Sequence, residues 1–311
     1  MIQIFLTTLP IYLMIVFGYV AVRSGYLGQG HIGALAQFAL KICLPALIVF
    51  AVAMPHGEGG LNPSFFLAYM GGSVITLLLG YAAMRLFLRQ AAPDSWILAL
   101  GMANSNSGFL GFPIASLIFG PQGAVVFAMT MTVENAVIIP LVQILTGVSG
   151  SNERKLGAVL REALGRIIAN PLLIAVALAL VWRATGLSMG VPVERAVTAL
   201  AMAAAPVALF VIGGTVASMS VSGHWRRVSA VSIGKLVVHP LLVAALLFTI
   251  PGVPADLIPV GILFAAVPML TIYPILAAPF GLREVCSTAL IVATGLSVVT
   301  VTGVLVLLNV L

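Results

Sequence analysis

The sequence predicts an all-α polytopic membrane protein: ten transmembrane helices in two inverted five-helix repeats, with broken helices at spans 4 and 9. Three observations carry this. Apolar residues make up 61% of the 311-residue chain and charged residues 7%, with a mean hydropathy of +1.20; an ordinary soluble chain carries about 25% charged residues. The apolar runs are continuous over helix length rather than alternating, which excludes a transmembrane β-barrel. Glycines and prolines recur at one fixed offset between the two halves. A soluble enzyme, a nucleic-acid binder and a disordered chain are all excluded.

Gly, Pro and charge punctuate the chain into spans at 3–22, 31–54, 64–88, 95–119, 123–147, 166–184, 194–218, 228–250, 256–280 and 284–310. Each is close to the ~20 residues that a bilayer core requires. No Lys or Arg precedes Arg23, so span 1 lacks a basic n-region and reads as retained rather than as a signal peptide. Span 2 carries Lys41 ten residues in, about 15 Å from its start by helical rise. That is too deep for easy snorkelling, so Lys41 is expected to face a cavity or a partner. Span 5 carries Glu134, followed by Asn135, at a similar depth. A structural Lys41–Glu134 ion pair and a functional anion or proton site are both open.

Residues 148–165, with Glu153, Arg154, Lys155, Arg161 and Glu162, read as a cytoplasmic linker holding an amphipathic turn or two. The domain division is therefore 1–147, the first repeat; 148–165, the linker; and 166–311, the second repeat. In span 8, Lys235 lies some seven residues from the cytoplasmic end, where snorkelling is expected. His239 precedes Pro240 and could cap freed backbone or carry protons. Cys43 and Cys286 fall inside apolar runs, so no disulfide framework is expected.

Loop charge sets the orientation. The loops after spans 1, 3, 5, 7 and 9 hold ten Lys and Arg residues, while the opposite set and both termini hold Arg183 and Arg195 alone. This bias places both termini outside and the first set of loops in the cytoplasm. It also accounts for the net charge of +6 without invoking nucleic acid.

The repeat has an offset of 161 residues. Pro10 pairs with Pro171, Gly25 with Gly186, Pro45 with Pro206, Pro113 with Pro274, and Gly120 with Gly281. Five spans per half is an odd number, so the halves must lie in the membrane with opposite orientation, as in secondary transporters.

Span 4 holds Asn104-Ser105-Asn106-Ser107-Gly108 and then Gly111-Phe112-Pro113, and span 9 is interrupted at Pro268 and at Tyr273-Pro274. Proline removes a backbone donor and strands a carbonyl. Exposed backbone survives in a membrane only where it lines protein or a water-filled cavity. Paired breaks are thus a pointer to a binding site, with half-helix amino termini suited to a carboxylate. Asn104, Asn106, Ser107, Gly108, Lys41, Pro268 and Tyr273 are the candidate substrate residues. Glu134, Asn135, His239 and Lys235 are the candidate coupling residues, and Pro113, Pro268 and Pro274 mark the breaks. Gly28, Gly30 and Gly33 spell GxGxxG, but no strand precedes them, so no dinucleotide site is read there. Neither a nucleotide P-loop nor a zinc spacing occurs, and no cofactor or metal is expected.

Asn106 to Pro113 (NSGFLGFP), Asn170-Pro171, Pro45, Pro206 and the Pro268…Pro274 run resemble the auxin efflux carrier family over nearly the whole chain. The short central loop is similar to the bacterial branch, whose members are often described as malonate or other organic-acid permeases. The resemblance implies a scaffold of spans 1, 2, 6 and 7, a mobile domain of spans 3–5 and 8–10 that contains the crossing helices 4 and 9, a homodimer through the scaffold and an elevator motion. It also implies that Asn106, five residues before Gly111, contacts the substrate carboxylate. The chain departs from the plant carriers at Lys41, at Glu134, and at Met70-Gly71-Gly72, where they hold an acidic residue.

The expectation is a secondary active transporter of small carboxylates in a bacterial inner membrane, with the lipid bilayer and a second copy as partners. Proton and sodium both stand as coupling ions. The alternatives are a sodium-coupled symporter of a larger organic anion, as in the similarly folded bile-acid symporters, and a non-transporting membrane sensor.

Overall fold

Proline and asparagine decide where several of the helices begin. Asn62 caps one helix by accepting from the Phe65 N–H at 2.8 Å, and Asn170 caps another by accepting from the Leu172 N–H at 2.9 Å. In both, proline occupies the first turn, where its missing N–H costs nothing. The computed structural model describes residues 2–53, 61–149, 156–219, 221 and 223–308, the side chains of residues 2–8 and 156 excepted.

Among these residues the structure is all-helical. In chain order the helices are α1 (Ile2–Arg23), α2 (Gln29–Ala53), α3 (Pro63–Leu86), α4 (Ala92–Ala103), α5 (107–119), α6 (Pro121–Ser149) and α7 (Leu156–Ile168). They continue with α8 (Pro171–Thr185), α9 (Val191–Ala217), α10 (Trp225–Thr249), α11 (Leu257–Ala266), α12 (Tyr273–Ala277) and α13 (Arg283–Leu307). Helices α2, α3, α6, α9, α10 and α13 are long and apolar enough to cross a membrane, and the bent pair α7–α8 makes a seventh if counted as one. Large apolar side chains such as Phe17, Leu178, Val181 and Phe248 are exposed around the bundle. A water-soluble surface would not carry so many, so the chain is a multi-pass membrane protein.

Six or seven such helices stand against the ten spans read from sequence, and the breaks account for part of the difference. Predicted span 4 is divided into α4 and α5 by extended backbone at residues 104–106. Span 9 is divided into α11 and α12 at residues 267–272. Neither half alone is long enough to qualify.

The central segment needs correction. Residues 150–155, including Glu153, Arg154 and Lys155, lie outside the described residues. Beyond them the expected turn or two is the three-turn helix α7, which buries Val159 and Ala163, one helical turn apart, and exposes Leu160, Leu164 and Ile168. The chain bends by 58° before α8. Asn170 and Pro171 therefore start α8, five residues later than the predicted start at 166.

Helix α1 lies against α9. A Cβ on Gly213 would fall 1.8 Å from the Ile15 carbonyl, and one on Gly18 would fall 2.0 Å from the Phe210 carbonyl, so only glycine allows these backbones to touch. Helix α2 packs on α8 and α9. Helix α3 packs on α4 and α10, and α10 continues onto α11 and α13. The turn glycines Gly25 and Gly186 hold φ of +76° and +67°, and Gly120 and Gly281 hold +57° and +69°.

Candidate functional site

The two breaks meet at the centre of the molecule. The Asn106 N–H donates to the Pro268 carbonyl at 2.8 Å, and Asn106 Nδ2 donates to Thr271 Oγ1 at 2.8 Å. Asn106 Oδ1 also accepts from the Phe109 N–H at 3.3 Å, capping the start of α5. One asparagine thus ties both interruptions together and relieves an opening amide of the half-helix. The Ser107 and Gly108 amides open the same helix, ahead of its intrahelical bonds.

Beside this crossing lies a cleft of about 90 Å³. One wall is apolar and comes from α2 and α8: Leu40, Leu44 and Leu172. The facing wall is the first break, residues 104–108, with Glu134 and Asn135 of α6. Leu270, Thr271 and Ile272 of the second break close one side. The fit is tight at Gly108, where a Cβ would stand 2.9 Å from Leu44 Cδ1. Asn104 is 1% exposed and its Nδ2 has no hydrogen-bond partner. A buried amide donor without an acceptor costs roughly 1–3 kcal/mol, so it calls for an explanation.

Behind the cleft runs a chain of buried polar groups. Ser107 Oγ donates to Glu134 Oε1 at 2.5 Å, and Tyr69 Oη lies 3.2 Å from the same oxygen. Tyr69 Oη also lies 3.3 Å from Ser105 Oγ. Lys235 Nζ donates to Ser105 Oγ at 2.6 Å, to the Ala265 carbonyl at 2.8 Å, and to His239 Nδ1 at 2.7 Å. An ammonium has three protons, and three acceptors receive them. With Lys235 as the ammonium ion, His239 Nδ1 is the accepting nitrogen and the ring proton sits on Nε2, which lies 3.0 Å from Ser73 Oγ. That tautomer follows from the hydrogen-bond pattern. Glu134 opens a π-type turn at Glu134–Ile138, and Lys235 sits in another at Gly234–Val238. Such turns widen a helix by one residue and recur at functional sites.

A family model described as "Membrane transport protein" matches residues 3–305. The chain belongs to that family, the family of the auxin efflux carriers. It is a membrane transporter and not an enzyme. It is 26% identical over 302 residues, covering 97% of this chain and 94% of the relative, to a protein of Rhizobium meliloti (strain 1021) named "Putative malonate transporter". It is 24% identical over 247 residues, 78% of each chain, to an "Uncharacterized transporter" of Methanothermobacter thermautotrophicus.

In this family member the structure gathers most of the residues singled out by sequence and disperses others. Asn104, Asn106, Ser107, Gly108, Glu134 and Asn135 all line the cleft. Pro268 supplies the carbonyl that receives Asn106. Pro113 lies in the first turn of the regular α-helix Phe112–Phe119. Tyr273 is fully buried at the start of α12 beside Pro274, its ring against Gly101 of α4, so it braces the break rather than facing the cleft.

Lys41 does not meet Glu134. Its side chain is exposed and its Nζ lies 3.4 Å from Gln37 Oε1 on the same helix, while Glu134 is buried against Tyr69 and Ser107. Lys235 does not snorkel; it is fully buried because three acceptors await it inside. His239 lies one turn along the helix from Lys235, with Nδ1 2.7 Å from the ammonium nitrogen. Sequence reading missed Tyr69, Ser73 and Thr271, and it named Ser105 in the string of span 4 without making it a candidate residue. Tyr69/Ser73 and Lys235/His239 are both i, i+4 pairs within apolar helices, a spacing that puts two polar groups on one face.

Proposed function

We propose that this transporter is a secondary active carrier of small organic anions, carboxylates such as malonate, that works by an elevator-type alternation of access. The observation that carries the reading is Asn104 Nδ2, a buried donor with no partner on the wall of a cleft at the crossing of two broken helices. A carboxylate placed there receives Asn104 Nδ2 and the opening amides of Ser107 and Gly108. The cleft volume of about 90 Å³ is several times the ~10–15 Å³ that one water needs. That suits a small acid and disfavours the larger anion of a bile-acid type of symporter. The printed name of the Rhizobium relative agrees in substrate class.

The elevator reading draws on the contrast between the walls. The scaffold, made of α1, α2, α8 and α9, offers three leucines, over which a polar wall can slide without breaking strong bonds. The Asn170–Asn135 hydrogen bond at 3.1 Å is a polar tie between the two sides. The ten-span inverted repeat is supported by the matched left-handed glycines and by loop adjacency. Asn62 bonds to the Gly252 carbonyl and Gln122 to Asp256, joining loops assigned to the outside. Residues 87–90 and 223–227, both assigned to the cytoplasm, line one cleft. Adjacency of loops on the same side is what alternating crossings require.

Counterflow tests the reading. Liposomes containing the purified protein and loaded with unlabelled malonate are expected to accumulate labelled malonate transiently, and a bile acid is expected not to compete. A protein that binds no small carboxylate and shows no counterflow would favour a sensor and overturn the proposal.

A further inference from the structure

Three charges share one interior if a carboxylate occupies the cleft, and their sum has a consequence for coupling. Lys235 is the fixed member, its three protons committed to Ser105, His239 and the Ala265 carbonyl. Glu134 is the adjustable member, joined to Lys235 through Tyr69 and Ser105 and lining the cleft itself. From α3 the titratable group facing Glu134 is Tyr69, and from α10 come Lys235 and, behind it, His239. The residues that α2, α8 and the second break contribute to the cleft are not titratable. With both groups charged, Lys235 and Glu134 balance in the empty cleft. An arriving carboxylate leaves one negative charge in excess, against a carboxylate on the same wall.

We propose that Glu134 takes up one proton for each anion bound, so that the carrier moves its substrate together with protons. This rests on the carboxylate reading above. Two like charges in one water-poor cleft repel strongly, so anion binding and protonation of Glu134 favour each other. Ser107 supplies the mechanical link. At present its hydroxyl proton points to Glu134 Oε1 at 2.5 Å. Once Glu134 carries a proton, the carboxyl group donates and Ser107 Oγ accepts. The Ser107 hydroxyl proton is then free to turn to the cleft, beside the Ser107 and Gly108 amides. The proton comes from solution, arrives with the anion and leaves with it, so each crossing carries one uncompensated negative charge fewer.

The test is a proton count. Malonate is titrated into purified protein in weakly buffered solution with an indicator dye, and binding is followed in parallel by calorimetry at several pH values. The expected result is about one proton taken up per malonate bound, over the pH range in which affinity falls about tenfold per pH unit. In Glu134→Gln, which keeps the shape without the charge, proton uptake is expected to vanish and affinity to lose its pH slope. Binding by the unsubstituted protein with no proton uptake, or with a requirement for sodium instead, overturns the proposal and leaves the carboxylate reading standing. Uptake that persists in Glu134→Gln assigns the proton to the substrate and also overturns it. No malonate binding at any pH overturns both readings together.

Discussion

The two helix breaks occupy matching places and touch each other, yet they are chemically unlike. The first, at residues 104–106, is asparagine, serine and asparagine, and it leaves one amide donor without a partner. The second, at residues 267–272, is largely apolar and answers its own backbone: the Tyr273 N–H bonds to the Leu270 carbonyl, and the Pro268 carbonyl is taken by Asn106. The geometry of an interrupted helix is thus present twice, and the unsatisfied chemistry once. Binding specificity should therefore reside in the first break, with the second acting as its brace.

Substitutions can break that comparison. The largest effect on binding is expected at Asn104. Asn104→Ala removes a charge-assisted hydrogen bond worth about 1.5–3 kcal/mol, so malonate affinity should fall roughly tenfold to a hundredfold. Because the amide has no partner in the empty protein, thermal stability without substrate should hold or rise. Loss of stability together with unchanged affinity would make Asn104 structural. Asn106→Ala should behave in the opposite way. It removes the Thr271 bond and the Phe109 cap, each typically about 1 kcal/mol, and the melting temperature should drop by several degrees before any loss of affinity is counted. Thr271→Val tests the brace from the other side: it leaves Asn106 Nδ2 unmet and should cost about 1 kcal/mol of stability with a smaller change in affinity. The smallest effect belongs to Lys41→Met. An exposed side chain outside the Glu134 network should change malonate affinity by less than about twofold, and stability by no more than about 0.5 kcal/mol.

Much of this was legible in the sequence, and the failures have a common cause. Continuous apolar runs, proline starts and the Asn104–Gly108 string reveal the helices and the first break directly, because each rests on local backbone chemistry. The roles of Lys41 and Lys235 were reversed. Counting residues along a span measures depth, but not which way a side chain faces. Both lysines also sit in π-type turns, Ala39–Cys43 and Gly234–Val238, which insert a residue and turn the helix face by about 100°. Ten residues into a span, Lys41 looked inward, and seven from an end, Lys235 looked outward. The acceptors decide the matter for Lys235: His239 lies one turn along the same helix, but Ser105 and the Ala265 carbonyl come from distant parts of the chain, which short-range reading of the sequence does not bring together. The helix α7 was underestimated for a simpler reason: its polar residues suggested a loop, while Val159 and Ala163 already marked a buried edge.

The central claim is that a small carboxylate sits at the first break, and a structure determined with bromomalonate bound tests it most directly, since anomalous scattering from bromine locates the ligand without ambiguity. The account predicts the bromine within the cleft between Leu44 and Asn104, with one carboxylate within hydrogen-bonding distance of Asn104 Nδ2 and the Ser107 and Gly108 amides. Bromine found against the second break, or at the basic cleft of residues 87–90 and 223–227, would contradict it.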